Sequence, residues 1–365
     1  MIRISTATLT ASLLFAASSA WAAESTSPPK EPSPEVPAEK FYKNIQVFQG
    51  LPSTDLVPAM KFMADSLGVK CSFCHVTNDK GHWPMESDDK PAKGKAREMI
   101  RMMREIDRAN FKGRLEVTCA TCHHGSNDPA SMPPLVSESL ASHGRGSVPP
   151  DAPSVDSLLE KSVAAVGGKT AIEAVHSRRL QGTFTAADGE PHPIEVVQTE
   201  AGKYRSSVTV KDGSFTLVFD GKSGTSAGPS WKNPMMPDEI ARIRSRARLF
   251  PAFGLKARFP ALAVLGRESV GGREAWRVVG RNAEGERATF WFDAESGLLL
   301  RTLEREHTAL GDIPEQADYS DYREVGAVRV PFVIRHEAPD RTDTITATEM
   351  KQNVDVDEKS FQLQN

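Results

Sequence analysis

Two pentapeptides constrain this chain more than anything else in it: Cys71-Ser72-Phe73-Cys74-His75 and Cys119-Ala120-Thr121-Cys122-His123. They use all 4 cysteines of the 365-residue sequence. In a C-x-x-C-H unit the thiols stand one helical turn apart, so both reach the vinyl groups of one haem while the next imidazole turns to the iron. His75 and His123 are therefore the expected proximal ligands, and Cys71, Cys74, Cys119 and Cys122 the expected thioether attachments of two haem c groups. Zinc, dithiol redox chemistry and structural disulfides are the competing uses. A zinc ribbon spaces its pairs by about 15–20 residues, and zinc requires no histidine directly after each pair. Here residues 75–118 lie between the pairs. A thioredoxin-like C-x-x-C needs a βαβ setting, whereas both copies here sit between helical patterns.

The N-terminus carries an independent clue. Arg3, an apolar run from Leu9 to Ala17 and the small-residue site Ala20-Trp21-Ala22 predict a signal peptide over residues 1–22. Such a segment is too short to span a bilayer. The expected address is the periplasm, where thioether-linked haems are completed. Residues 23–40 read as a proline-rich linker, because Pro28–Pro37 mixes prolines with charged and small residues. A net charge of −3 argues against nucleic acid as a partner.

Residues 41–135 are the expected di-haem domain. Pro52-Ser53-Thr54-Asp55 starts a helix on which Leu56, Met60, Met63 and Leu67 share a face, and Gly68 closes it. That helix can fold back over the haem and present a thioether opposite His75. Met60 and Met63 are the candidates, with core packing as the alternative for both. A second helix over 92–109 places Met99, Met103 and Ile106 on one face and Met102 beside it. Each helix precedes a C-x-x-C-H unit, so the region reads as a degenerate repeat. His82, beside Trp83, is a further loop histidine, more simply read as solvated.

Three segments carry a resemblance: Ser66-Leu67-Gly68-Val69-Lys70 leading into the first motif, Arg101-Met102-Met103-Arg104-Glu105-Ile106-Asp107, and Val117-Thr118 leading into the second motif with His124-Gly125 after it. Together they resemble the cytochrome c subunit family of photosynthetic reaction centres over about residues 41–135. In that family a methionine on the preceding helix supplies the sixth iron ligand of most haems, and the resemblance implies the same use here. By position that is Met60 for the first haem and Met99 for the second, with Met102 and Met103 as competitors for the second. Reaction-centre members of that family resemble a wire of four haems, whereas this chain has two motifs.

Residues 136–153 are the expected second linker and 154–365 a β-rich domain. Val155, Leu158, Leu159, Val163 and Val166 make an amphipathic helix ended by Gly167-Gly168. Strands are expected at 179–186, 194–199, 204–210, 215–220, 275–280, 288–293, 298–305, 328–336 and 342–350. Turns at 187–189, 212–213, 220–221 and 284–285 predict an antiparallel meander, and so many strands should curl. The fold class is thus α+β, a small mostly helical cytochrome domain followed by an antiparallel β half-barrel with one or two helices. The β region resembles, more weakly, periplasmic carriers that sort outer-membrane lipoproteins, which implies a concave apolar face for an acyl chain or partner segment. Arg242, Arg244, Arg246 and Arg248, with Lys256 and Arg258, form a basic run suited to an anionic lipid surface or an acidic redox partner, a solvated helix face being the plainer reading. His176, His192, His307 and His336 are expected at surface or turn positions.

The expected activity is periplasmic electron transfer to redox partner proteins by His/Met-ligated haems. Two other readings compete. One is a haem peroxidase or small-molecule reductase with an open iron; the other is a lipid or lipoprotein carrier whose haems sense redox state.

Overall fold

The computed structural model describes residues 31–76, 84–129, 150–283, 287–339 and 341–363. The expected signal peptide, most of the expected second linker, His82, Trp83 and the expected turn at 284–285 lie outside them.

The helical part opens with a short helix, α1 (Ala38–Phe41), and a 3₁₀ turn at Ser53–Asp55 that runs into α2 (Leu56–Leu67). Gly68 ends α2 in the left-handed region at φ 65°, which glycine adopts at little cost. Its missing side chain also matters, since a Cβ there would overlap the carbonyl of Gly125. The first C-x-x-C-H begins as a 3₁₀ turn, Cys71–Phe73. Helix α3 (Pro91–Asn110) follows, with proline at its start where no amide donor is needed. The second motif is itself a short helix, α4 (Cys119–His123). Leu56, Ala59 and Phe62 from α2 pack with Ile100 and Met103 from α3 and with Cys119 and Ala120 from α4.

The β region begins with α5 (Val155–Val166), capped by Ser154 through its hydroxyl and the amide of Ser157 at 3.1 Å, and α6 (Lys169–Glu173). A first meander comprises β1 (Ser177–Ala186), β2 (Pro191–Thr199), β3 (Tyr204–Val210), β4 (Gly213–Phe219), β5 (Gly224–Gly228) and β6 (Trp231–Pro234). Two helices, α7 (Pro237–Arg246) and α8 (Leu255–Arg258), then lead to the second meander. It holds β7 (Ala261–Val270), β8 (Arg273–Arg281), β9 (Arg287–Asp293), β10 (Leu299–Thr308), β11 (Gly311–Val325), β12 (Val328–Ala338) and β13 (Arg341–Gln352).

One antiparallel sheet of 13 strands results, because β1 pairs with β13 and so joins the two meanders through their outermost members in sequence. Strands β6 and β7 are its free edges, so the sheet curls without closing. Residues from α5, α6 and α7 cover one core with β1, β2, β12 and β13, including Ile172, Ile243, Ala247, Val328 and Ile345. A second core gathers Leu158, Leu255 and Phe259 with Trp276, Phe290 and Phe292 from the other meander.

The β10–β11 hairpin links the two parts of the molecule. Leu310, in its turn, is 0% exposed and packs with Ile313 against α1, α2 and α3. Gly311 (φ 147°) lies against the ring of Phe62, where any Cβ would overlap that ring. The helical unit is therefore seated on a sheet hairpin, and its core is completed by residues some two hundred positions downstream.

Two sequence expectations need correction. His336 is not at a surface or turn: it lies in β12, buried, with Nδ1 2.9 Å from Asp343 Oδ2, because the pleat turns it to the concave side under α7. The arginine run is not a uniformly solvated or free cationic face. Arg246 bonds Glu315 at 3.3 Å and approaches Asp343 at 3.6 Å, and Arg248 bonds Glu304 at 3.0 Å. Arg242 also faces Glu315, at 4.0 Å. With the helical period, alternate arginines fall on the sheet-facing side, leaving Arg244 and Lys256 exposed.

Candidate functional site

The two cysteine motifs are held differently. At the first, His75 N–H and Cys74 N–H both donate to Cys71 O, at 3.0 and 3.2 Å, so the pentapeptide closes one tight turn. At the second, Thr118 and Thr121 form a capping box in which Thr118 N–H donates to Thr121 Oγ1 at 2.9 Å. Asp107, buried near the end of α3, accepts from Val117 N–H at 2.9 Å and Glu116 N–H at 3.2 Å. That carboxylate fixes the approach of the chain to Cys119. Gly125 N–H then donates to Ser66 O at 2.9 Å, which ties the exit of the second motif to the end of α2.

Both proximal candidates are arranged alike at their ring nitrogens. His75 Nδ1 is 3.2 Å from Met85 O, and His123 Nδ1 is 2.9 Å from Ser126 O. A carbonyl oxygen only accepts, so each Nδ1 carries the proton and each Nε2 keeps its lone pair for a metal. This is the tautomer that an axial histidine ligand requires. Burial, and after it the charge of Lys93, pushes the pKa of His75 down and favours the neutral ring.

The four thiols are free, with no disulfide among them. Burial raises the pKa of Cys74 and of Cys119, so both are held as protonated thiols rather than reactive thiolates. Among the described residues no three or more His, Cys, Asp or Glu side chains converge on a site that could hold a metal ion, so the pairs are not gathered as a zinc site would gather them. Phe73, Met85, Met102 and Leu115 are large apolar side chains left exposed around the motifs. Apolar side chains at these positions are what a flat hydrophobic macrocycle would cover. Donor set, tautomer and exposed apolar surface thus all fit haem c.

The methionines are distributed over three environments. Met60 packs, half-buried, against the core formed by α2 and α3. Met103 is buried within that core beside Ile100, Met99 is half-buried, and Met102 is 49% exposed. Asp107 closes the run Arg101–Asp107 with no local signal of a role, and its part in setting the second motif lies in its two amide contacts. Clefts open on the β region among its described residues. One, between α7 and β10–β12, is lined by the charged and aromatic side chains of Arg242, Arg246, Glu304, Glu315, Tyr319 and His336. Another, beneath α5, is lined by Val163, Val166, Phe250, Phe253 and Leu299.

The helical part of the chain is similar to c-type cytochromes. Residues 8–148 match the family described as the photosynthetic reaction centre cytochrome C subunit. Cytochrome c-554 of Chloroflexus aurantiacus is 31% identical over 139 residues, which is 36% of this chain and 30% of that protein. The chain thus spans less than a third of that relative's length. Among solved structures, a LolA superfamily protein from Nitrosomonas europaea overlaps 58% of this chain and 99% of its own, with a TM-score of 0.40 at 12% identity. A DUF1329 family protein from Desulfovibrio piger overlaps 58% of this chain and 98% of its own, with a TM-score of 0.40 at 11% identity. Among the described residues no helix is long and apolar enough to cross a membrane.

Proposed function

We propose that this chain is a periplasmic electron carrier with two covalently bound haem c groups. The observation that carries this reading is the pair of matched histidines, each donating Nδ1–H to a backbone carbonyl directly beside its own cysteine pair. Cys71 and Cys74 would hold the first haem and Cys119 and Cys122 the second, with His75 and His123 as proximal ligands. Met60 and Met99 would supply the sixth ligands. Such a group would supply one-electron chemistry, and with His75 and Met60, or His123 and Met99, as its ligands the protein would leave no open site for a small molecule. The residues of the chain then keep the ligand rings fixed, exclude water from the core side, and set the potential. Thioether ligation of the kind Met60 offers favours the reduced state relative to a second imidazole. The partners would be redox proteins met in the periplasm or at a membrane surface.

Replacing Met60 by Ala tests the ligand assignment. Half of the haem in the reduced protein should then bind carbon monoxide on mixing, and one of two midpoint potentials should fall. An unchanged spectrum and unchanged potentials would remove Met60 from the site.

A further inference from the structure

The two proximal hydrogen bonds differ in one respect that bears on electron flow. Met85 O, which receives His75 Nδ1–H at 3.2 Å, also receives the ammonium of Lys93 at 2.7 Å. Ser126 O receives His123 Nδ1–H at 2.9 Å, and no ammonium is among its described bonds. Lys93 is fixed where it stands. Its side chain is 13% exposed, and Nζ also donates to Ser87 O at 2.8 Å and faces Asp88 at 3.4 Å. Asp88 is half exposed and shared with Arg97 at 3.0 Å, so it offsets the ammonium only in part. Lys93 also lies in the first turn of α3, where the helix dipole disfavours a cation. A charge held there against the dipole needs a compensating use, and the loop carbonyls at 85 and 87 supply one.

The geometry points to Lys93 as a positioning residue that raises the reduction potential of the first haem above that of the second. This inference rests on the two-haem reading. A carbonyl oxygen has two lone pairs, and an ammonium on one of them polarises the group and weakens it as acceptor for the other donor. The longer His75 bond agrees with that ordering. An axial histidine whose Nδ1–H is less strongly accepted is less basic and stabilises ferric iron less. The half-buried positive charge disfavours the ferric state as well, so both effects act in one direction.

The test is a spectroscopic redox titration of the full mature protein and of three variants, Lys93→Gln, Lys93→Arg and Lys95→Gln. Lys95 is an exposed lysine on the same helix, paired with Glu98 at 2.9 Å, and controls for the loss of one charge at the surface. Lys93→Gln should lower the higher of the two midpoints, by up to about tenfold in the ferrous-to-ferric ratio, which is 59 mV for a one-electron couple. The lower midpoint should stay in place. Lys93→Arg keeps the charge and should stay near the parent, and Lys95→Gln should move neither midpoint. A Lys93→Gln protein with both midpoints unchanged, with only the lower one shifted, or with the shift matched by Lys95→Gln overturns the inference alone. Fewer than two c-type haems in the parent protein overturns the two-haem reading and the inference with it.

Discussion

A chain carrying Cys119→Ala and Cys122→Ala should mature with half the haem of the parent, measured as covalently retained haem per chain after acid extraction. Cys71→Ala with Cys74→Ala should do the same at the other site, because in the proposed arrangement each pair would supply both thioether bonds of one group and neither pair could replace the other. The two variants should differ in yield. The second motif is built into the core through Cys119 and Ala120, the Asp107 contacts and the Gly125–Ser66 hydrogen bond. The first sits in a surface turn with Cys71 exposed. Loss of the second haem should therefore cost more folded protein. Full retention of haem after removal of either pair would contradict the attachment sites.

Arg246→Met should destabilise the protein by about 3 kcal/mol, the low end of the cost of stranding buried charges, read as a shift of the urea midpoint. Arg246 is 16% exposed at its side chain and lies 3.3 Å from Glu315 and 3.6 Å from Asp343. Glu315 keeps Arg341 at 3.0 Å, which limits the loss. Burial pushes the carboxyl of Asp343 up, but the His336 hydrogen bond and the charge of Arg246 outweigh it and hold the pKa down at about 2. A carboxylate depressed in the folded state contributes stability above its unfolded pKa of about 4, and that contribution is lost as pH falls toward 2. Burial, with Arg246, also lowers the pKa of His336, so the neutral ring adds stability that is lost as pH falls below about 6.5. In Arg246→Met the pKa values of Asp343 and His336 should both rise toward their unfolded values, so the stability lost on acidification should be smaller and the acid limb of the profile shallower. An unchanged profile would show that the cluster is not energetically coupled.

The cysteine motifs, α2 with its Gly68 stop, α3 and most strands were legible because each rests on local signals: spacing, helical period, turn residues. What failed to show depends on distant neighbours. Strand β11 (Gly311–Val325) is dense in Asp, Glu and other polar residues, so its sequence lacks the alternation of a half-buried strand; it is held instead by pairing on both sides with β10 and β12. Strands β5 and β6 are short and lie at or next to a free edge. Leu310 looks like an exposed turn residue until the helical unit is seen to sit on it. The arginines at 242, 246 and 248 read as a surface stripe because their carboxylate partners are supplied from β10, β11 and β13, strands whose register the sequence does not disclose. At the candidate site, the motif alone proposes the cysteines and histidines, whereas the carbonyls at Met85 and Ser126 that face the two rings come from loop conformations without a pattern.

The most direct measurement is an optical spectrum of the purified mature protein in ferric and ferrous states, with and without carbon monoxide, combined with a haem count per chain. Two covalently held, low-spin haems per chain that ignore carbon monoxide are the expected result. A chain with one haem or none, or one iron that binds carbon monoxide at once, would contradict a relay in which the protein fills both axial positions of two haems.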